Sequence, residues 1–141
     1  MERILEFATN HWELFLALAV TLGFLVHSFT KGHLGGYRAI GVAEATRMLN
    51  SDEALFLDVR ENNEYKDGHV VDSVHIPLSS FKKRIIELDK YKDRHVIVCC
   101  RTGARSGGAC AQLKKRGFEN LANLSGGILA WQSANLPLSK K

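Results

Sequence analysis

The sequence predicts an α/β domain on a mostly parallel sheet, preceded by one long apolar helix. Three observations carry this. From Tyr37 onward, short β-branched or apolar runs alternate with helix-patterned stretches, as in strands joined by crossover helices. Two of the runs, Ala54–Val59 ("ALFLDV") and His95–Cys99 ("HVIVC"), are almost continuously apolar, as expected of strands covered on both faces. Upstream, Trp12–Phe29 contains no lysine or arginine.

Taken in order, Trp12–Phe29 comes first. As a helix it would span about 27 Å, close to the roughly 30 Å of a bilayer core. Its apolar residues lie all round the helix, unlike the stripe of a surface helix. Trp12 and Phe29 stand at the ends, where interfacial aromatics are favoured. The segment 1–30 therefore reads as a retained single-span membrane anchor, with a buried core helix as the alternative. A cleaved signal peptide fits poorly, because one basic and three acidic residues occur in 1–30 and no small-x-small site follows. Lys31 and Arg38 come next, so the positive-inside rule places the following domain in the cytoplasm, a bacterial inner membrane being the expected setting. Residues 31–36 read as a glycine-rich flexible linker.

The folded domain is expected over 37–138, with a basic tail at 139–141. "YRAI" is a short strand. "GVAEATRMLN" is a helix with Val42, Ala45, Met48 and Leu49 on one face. Ala54–Val59 is the second strand, and "ENNEYKDG" a short helix ended by Gly68. "SVHIP" is a strand stopped by Pro77. "LSSFKKRIIELDKY" reads as one helix, with Leu78, Phe81, Ile85 and Leu88 at helical spacing. His95–Cys99 is the fourth strand. "SGGACAQLKKRG" is a helix stopped by Gly117, "ENLANL" the fifth strand, and "GGILAWQSANLP" a last helix and tail.

Composition narrows the function classes. The 141 residues are 45% hydrophobic and 24% charged, suited to one globular domain with an appendage. The net charge of +4 is uneven: residues 1–30 carry −2 and residues 31–141 carry +6. That excess suits small anions or a membrane surface. Nucleic acid is not expected, because the basic residues are scattered and aromatics are not interleaved with them. The three cysteines, Cys99, Cys100 and Cys110, are odd in number and two are adjacent, which is no disulfide framework. No Cys/His spacing suggests zinc, and neither metal nor organic cofactor is expected.

In an open parallel sheet, ligands bind where loops leave the carboxyl ends of strands. "DVREN" and "CRTGAR" are such loops. Strand alternation makes Cys99 a buried residue and Cys100 the first residue of the turn. Five residues later Arg105 begins a helix. A loop entering a helix N-terminus points successive amides at one spot, and the helix dipole adds partial positive charge. Both stabilise a thiolate. Arg101 and Arg105 bring full charges, Thr102 a hydroxyl, and Gly103 conformational freedom.

"CRTGAR" resembles the active-site loop of the rhodanese family of sulfurtransferases. "FLDVRENNEYKDGHVVDSVHIP" is similar to that family's Asp-x-Arg, Glu-Tyr, Gly-His and Ile-Pro progression, and "LSGGILAW" to its Gly-Gly-x-x-x-Trp ending. The resemblance covers about 37–138. It implies a three-layer fold around a five-stranded sheet, with Cys100 as nucleophile. Arg101, Thr102, Gly103, Ala104 and Arg105 would surround the donor, with Asp58 and Arg60 near the site. Cys100 would take a sulfane sulfur from thiosulfate or a persulfide and pass it to a thiophilic acceptor, including a protein. Asp58 and Arg60 could equally be a structural ion pair. Glu64 and His69 are expected to serve helix and turn hydrogen bonds, and Trp131 and Cys110 to pack in the core. Two alternatives stand: a membrane-tethered persulfide carrier with little small-molecule turnover, and a phosphatase or arsenate reductase. The six-residue loop from Cys100 to Arg105 is shorter than the related dual-specificity phosphatase loop and argues for sulfur.

Overall fold

The computed structural model describes residues 10–141, and for 29–34 the backbone alone. A single helix, α1, runs from Trp12 to Leu34. The expected linker therefore begins later than residue 31, as the turn at Gly35–Gly36 that leads to Tyr37. Among the described residues no helix is long and apolar enough to cross a membrane, so the single-span anchor expected over 12–29 finds no support there. Within this 23-residue helix, the run Leu14–Val26, apolar apart from Thr21, would rise about 20 Å against roughly 30 Å of hydrocarbon, and Glu13 and His27 bound it. Residues 1–9 of the expected anchor lie outside the described residues. Along α1, Leu14, Phe15, Leu16, Leu18, Val20, Leu22, Phe24, Leu25 and Val26 are all exposed.

The sheet has five strands: β1 (Arg38–Ile40), β2 (Ala54–Asp58), β3 (Val74–His75), β4 (His95–Cys99) and β5 (Leu121–Leu124). Their order is β1-β5-β4-β2-β3, and every pairing is parallel. The three-layer α/β architecture follows. On one face Phe56, Ile97, Cys99, Ala122 and Leu124 pack against Ala45 of α2 (Val42–Asn50) and against Ile128 and Trp131 of α6 (Gly127–Ser133). On the other, Leu55, Leu57, Val96, Val98 and Cys100 pack against Phe81, Leu88 and residues Ala109, Cys110 and Leu113 of α5 (Ala104–Lys115). Burying each large apolar side chain contributes about 1.5–3 kcal/mol. Trp131 meets Phe56 edge-on at 5.6 Å between ring centroids, and its indole N–H donates to the Pro137 carbonyl at 3.2 Å.

One further expectation changes. Residues 78–91 do not form one helix. They form a 3₁₀ turn (Leu78–Ser80), the short helix α4 (Phe81–Arg84) and a 3₁₀ segment (Ile85–Tyr91). The basic tail begins at an antiparallel bridge, in which the Ser139 amide donates to the His69 carbonyl at 2.7 Å and the Ser139 carbonyl accepts the His69 amide at 2.9 Å. The fold also settles how the two candidate loops meet. Asp58, at the end of β2, is in register with Cys99, at the end of β4. The loops "DVREN" and "CRTGAR" therefore leave adjacent strands side by side.

Candidate active site

β4 ends at Cys99, and the chain turns at Cys100 into the loop that opens α5. Alternation along the strand sends the two cysteines to opposite faces of the sheet. Cys99 Sγ donates to the Cys100 carbonyl at 3.1 Å. Cys100 Sγ accepts the Gly103 amide at 3.0 Å and the Ser106 hydroxyl at 3.4 Å, and the Thr102 and Ser106 amides add to the stabilisation of its charge. Gly103 makes this possible by adopting φ +96°, and a Cβ there would sit 3.1 Å from the Leu124 carbonyl oxygen. The loop is clamped from behind. Ile128 N–H donates to the Cys100 carbonyl at 2.9 Å and Leu129 N–H to the Arg101 carbonyl at 3.2 Å. That approach needs Gly127, where a Cβ would lie 2.4 Å from the Cys100 carbonyl oxygen.

The amide cluster decides the thiol's acidity. Burial works against the thiolate, but hydrogen bonds from the Ser106 side chain and from the Ser106, Thr102 and Gly103 amides outweigh it. The Cys100 thiol is held below its ordinary value. The other two thiols go the opposite way. Burial pushes Cys99 well up, helped by the nearby Asp58 charge, and burial pushes Cys110 up to about 12. Of the three cysteines, only Cys100 is prepared as an anion.

Two ion pairs form the outer wall. Asp58 is fully buried and Arg60 nearly so. They meet at 2.6 Å, and Arg60 also donates to the carbonyls of Glu64 at 3.1 Å and Gly68 at 2.8 Å. Burial opposes the Arg60 charge, but the Asp58 hydrogen bonds and attraction outweigh that cost. Arg105 makes a bidentate pair with Glu64, at 2.9 and 2.7 Å. Glu64 belongs to α3 (Asn62–Lys66), which begins with a reciprocal capping box between Glu61 and Glu64. Beside the loop lies a depression of about 170 Å³, lined by Arg60, Glu64, Asp67, Arg101, Ile128, Leu129 and Gln132.

Comparison with known proteins places this arrangement. The rhodanese-like domain family matches residues 41–134. The chain belongs to the rhodanese-like domain family. It is 37% identical over 92 residues to a protein of Allochromatium vinosum named a sulfurtransferase, covering 65% of this chain and 84% of that one. It is 32% identical over 140 residues to the uncharacterized protein YibN of Escherichia coli K12, covering 98% and 97% of the two chains. A crystal structure of a rhodanese-related protein from Thermoplasma volcanium superposes with a TM-score of 0.68 at 30% identity, over 74% of this chain and all of that one.

Within the rhodanese-like loop, most expected residues gather around Cys100, each in its own way. Thr102 and Gly103 contribute amides. Ala104 starts α5 and is exposed, and Arg101 is exposed at the rim. Arg105 faces Glu64 across the mouth. Asp58 and Arg60 are turned toward each other and toward backbone carbonyls. Sequence reasoning missed Ser106 and Asn123. Ser106 Oγ lies 3.4 Å from Cys100 Sγ and donates to Asn123 Oδ1 at 2.5 Å. A signal was present for the second: Asn123 is the one polar residue in the β5 run "LANL", and a polar side chain in a covered strand requires a partner.

Proposed function

We propose that this chain is a sulfurtransferase that carries the transferred sulfur on Cys100. The observation behind the reading is a thiol at the start of a helix that accepts the Gly103 amide at 3.0 Å and the Ser106 hydroxyl at 3.4 Å and whose acidity is raised. With thiosulfate as donor, the Cys100 thiolate attacks the outer sulfur. A new S–S bond forms, and the old one breaks with its electron pair leaving on sulfite. The terminal sulfur of the resulting persulfide carries the negative charge, and the loop amides stabilise it. A thiophilic acceptor, such as cyanide or a thiolate, then bonds the terminal sulfur, and the electron pair of the S–S bond returns to Cys100. Arg101 steers the anionic donor to the rim, and Arg105 with Glu64 fixes the mouth of the loop. Asp58 and Arg60 hold the neighbouring loop in place.

The test is thiocyanate formation from thiosulfate and cyanide by the purified protein. Cys100→Ser should reduce it to background, and the wild-type protein after thiosulfate alone should gain the mass of one sulfur atom. Retained turnover in Cys100→Ser would overturn the assignment. A one-sulfur adduct without turnover would point to a carrier that is emptied by a partner protein.

A further inference from the structure

Ser106 Oγ has a single proton and three acceptors in reach. Asn123 Oδ1 is at 2.5 Å, the Gly103 carbonyl at 3.1 Å and Cys100 Sγ at 3.4 Å. The orientation of Asn123 is not free. Its Nδ2 donates to the Gly103 carbonyl at 2.9 Å, and a carbonyl can only accept. Oδ1 therefore faces Ser106 and must accept from it. The sulfur and Asn123 compete for one hydroxyl proton. Ser106 is fully buried, so no solvent joins that competition.

We propose that Asn123 is a positioning residue that parks the Ser106 hydroxyl proton and releases it to Cys100 Sγ when that sulfur becomes charged. This rests on the sulfurtransferase reading. While Cys100 carries a persulfide, Sγ is the bridging, uncharged sulfur and a poor acceptor, so the proton stays on Asn123. When the acceptor removes the terminal sulfur, the S–S electron pair returns to Sγ. A charge-assisted hydrogen bond then outcompetes the neutral one, and the hydroxyl swings to the leaving thiolate. No proton changes owner; only the direction of one O–H bond changes. Asn123 thereby limits how strongly the resting thiolate is stabilised. That keeps it reactive, because thiolate nucleophilicity falls as its basicity falls.

The test is the pH dependence of iodoacetamide alkylation of Cys100 in the full chain, with the modified residue localised by fragment-ion mass spectrometry. Alkylation needs no sulfur donor, so its outcome is separate from whether the protein turns over thiosulfate. The groups around the sulfur are Arg101 in the loop, Arg105 in α5 with Glu61 and Glu64 opposite it, Cys110 in α5, and Cys99 in β4 with Asp58 and Arg60 behind it; the variants leave all of them in place. Asn123→Ala removes the competing acceptor and should lower the alkylation midpoint by about half a pH unit or more. Ser106→Ala should raise it. The double variant should match Ser106→Ala alone. Asn123→Val, β-branched and suited to a strand, gives the same expectation should the alanine variant not fold. A midpoint in both Asn123 variants at or above wild type would overturn the proposal. So would an equal downward shift in the Ser106→Ala background.

Discussion

Arg105 is pulled two ways. It stands at the start of α5 near an anionic sulfur, yet both ends of its guanidinium are taken by Glu64 at 2.9 and 2.7 Å. The Arg105 hydrogen bonds hold the Glu64 carboxyl down to about 2 from its ordinary 4.5. The sign of the linkage follows. A carboxyl whose value is depressed on folding contributes stability above its unfolded value, and that contribution is lost as pH falls from 4.5 toward 2. The pair is partly exposed, so solvent screening keeps its worth at about 1 kcal/mol or less. Glu64→Gln should therefore lower the denaturation midpoint slightly at pH 7, and the gap from wild type should close between pH 4.5 and pH 2. Urea titrations across that range read it. A gap that persists at pH 2 would mean that Glu64 acts through packing rather than charge.

At the scale of elements, the loop is shaped as much by α6 as by its own residues. The start of α6 receives the carbonyls of Cys100 and Arg101, and Gly127 lets the two backbones touch at φ +56°. Gly127→Ala brings a Cβ to within 2.4–2.6 Å of Cys100 and Arg101 backbone atoms. The left-handed conformation alone costs about 1–2 kcal/mol for a residue with a Cβ, and the collision adds to it. Stability should fall by more than that, and sulfur transfer should fall with it, because the amides would no longer converge on Sγ. Guanidinium unfolding and turnover, measured on the same preparation, check both. Sequence patterning had limits at this scale. Leu78, Phe81, Ile85 and Leu88 are spaced by three and four residues, which suits a 3₁₀ segment nearly as well as an α-helix. The pattern alone therefore does not separate this irregular stretch from one helix. Along α1 the pattern shows apolar residues all round, but among the described residues no helix is long and apolar enough to cross a membrane.

Across the whole molecule, the strands and the positions of both loops were legible because local alternation and buried strands are written in neighbouring residues, whereas the sheet order β1-β5-β4-β2-β3 was not. The Ser106–Asn123 bond was not, because it joins residues seventeen apart in sequence whose proximity exists only once β4 and β5 pair. The Glu64–Arg105 pair, forty-one residues apart, was hidden for the same reason. Charge, by contrast, needs no folding to be counted, and it yields a prediction for the intact protein. The net charge is +4, Arg101 is exposed at the loop rim, and among the described residues Arg101 forms no salt bridge, whereas Arg60 and Arg105 are both neutralised by carboxylates. The cation that an incoming dianion meets is thus Arg101. In water a unit charge at 4 Å contributes about 1 kcal/mol, roughly a fivefold effect on kcat/KM for each unit of donor charge it engages. At 1 M salt the screening length shrinks to about 3 Å, and the attraction is largely lost. Arg101→Gln should therefore lower kcat/KM for thiosulfate about fivefold or more at 10 mM salt. The two proteins should converge near 1 M, with kcat little changed throughout. A deficit that stayed constant with salt would assign Arg101 a direct contact in the reaction instead of steering.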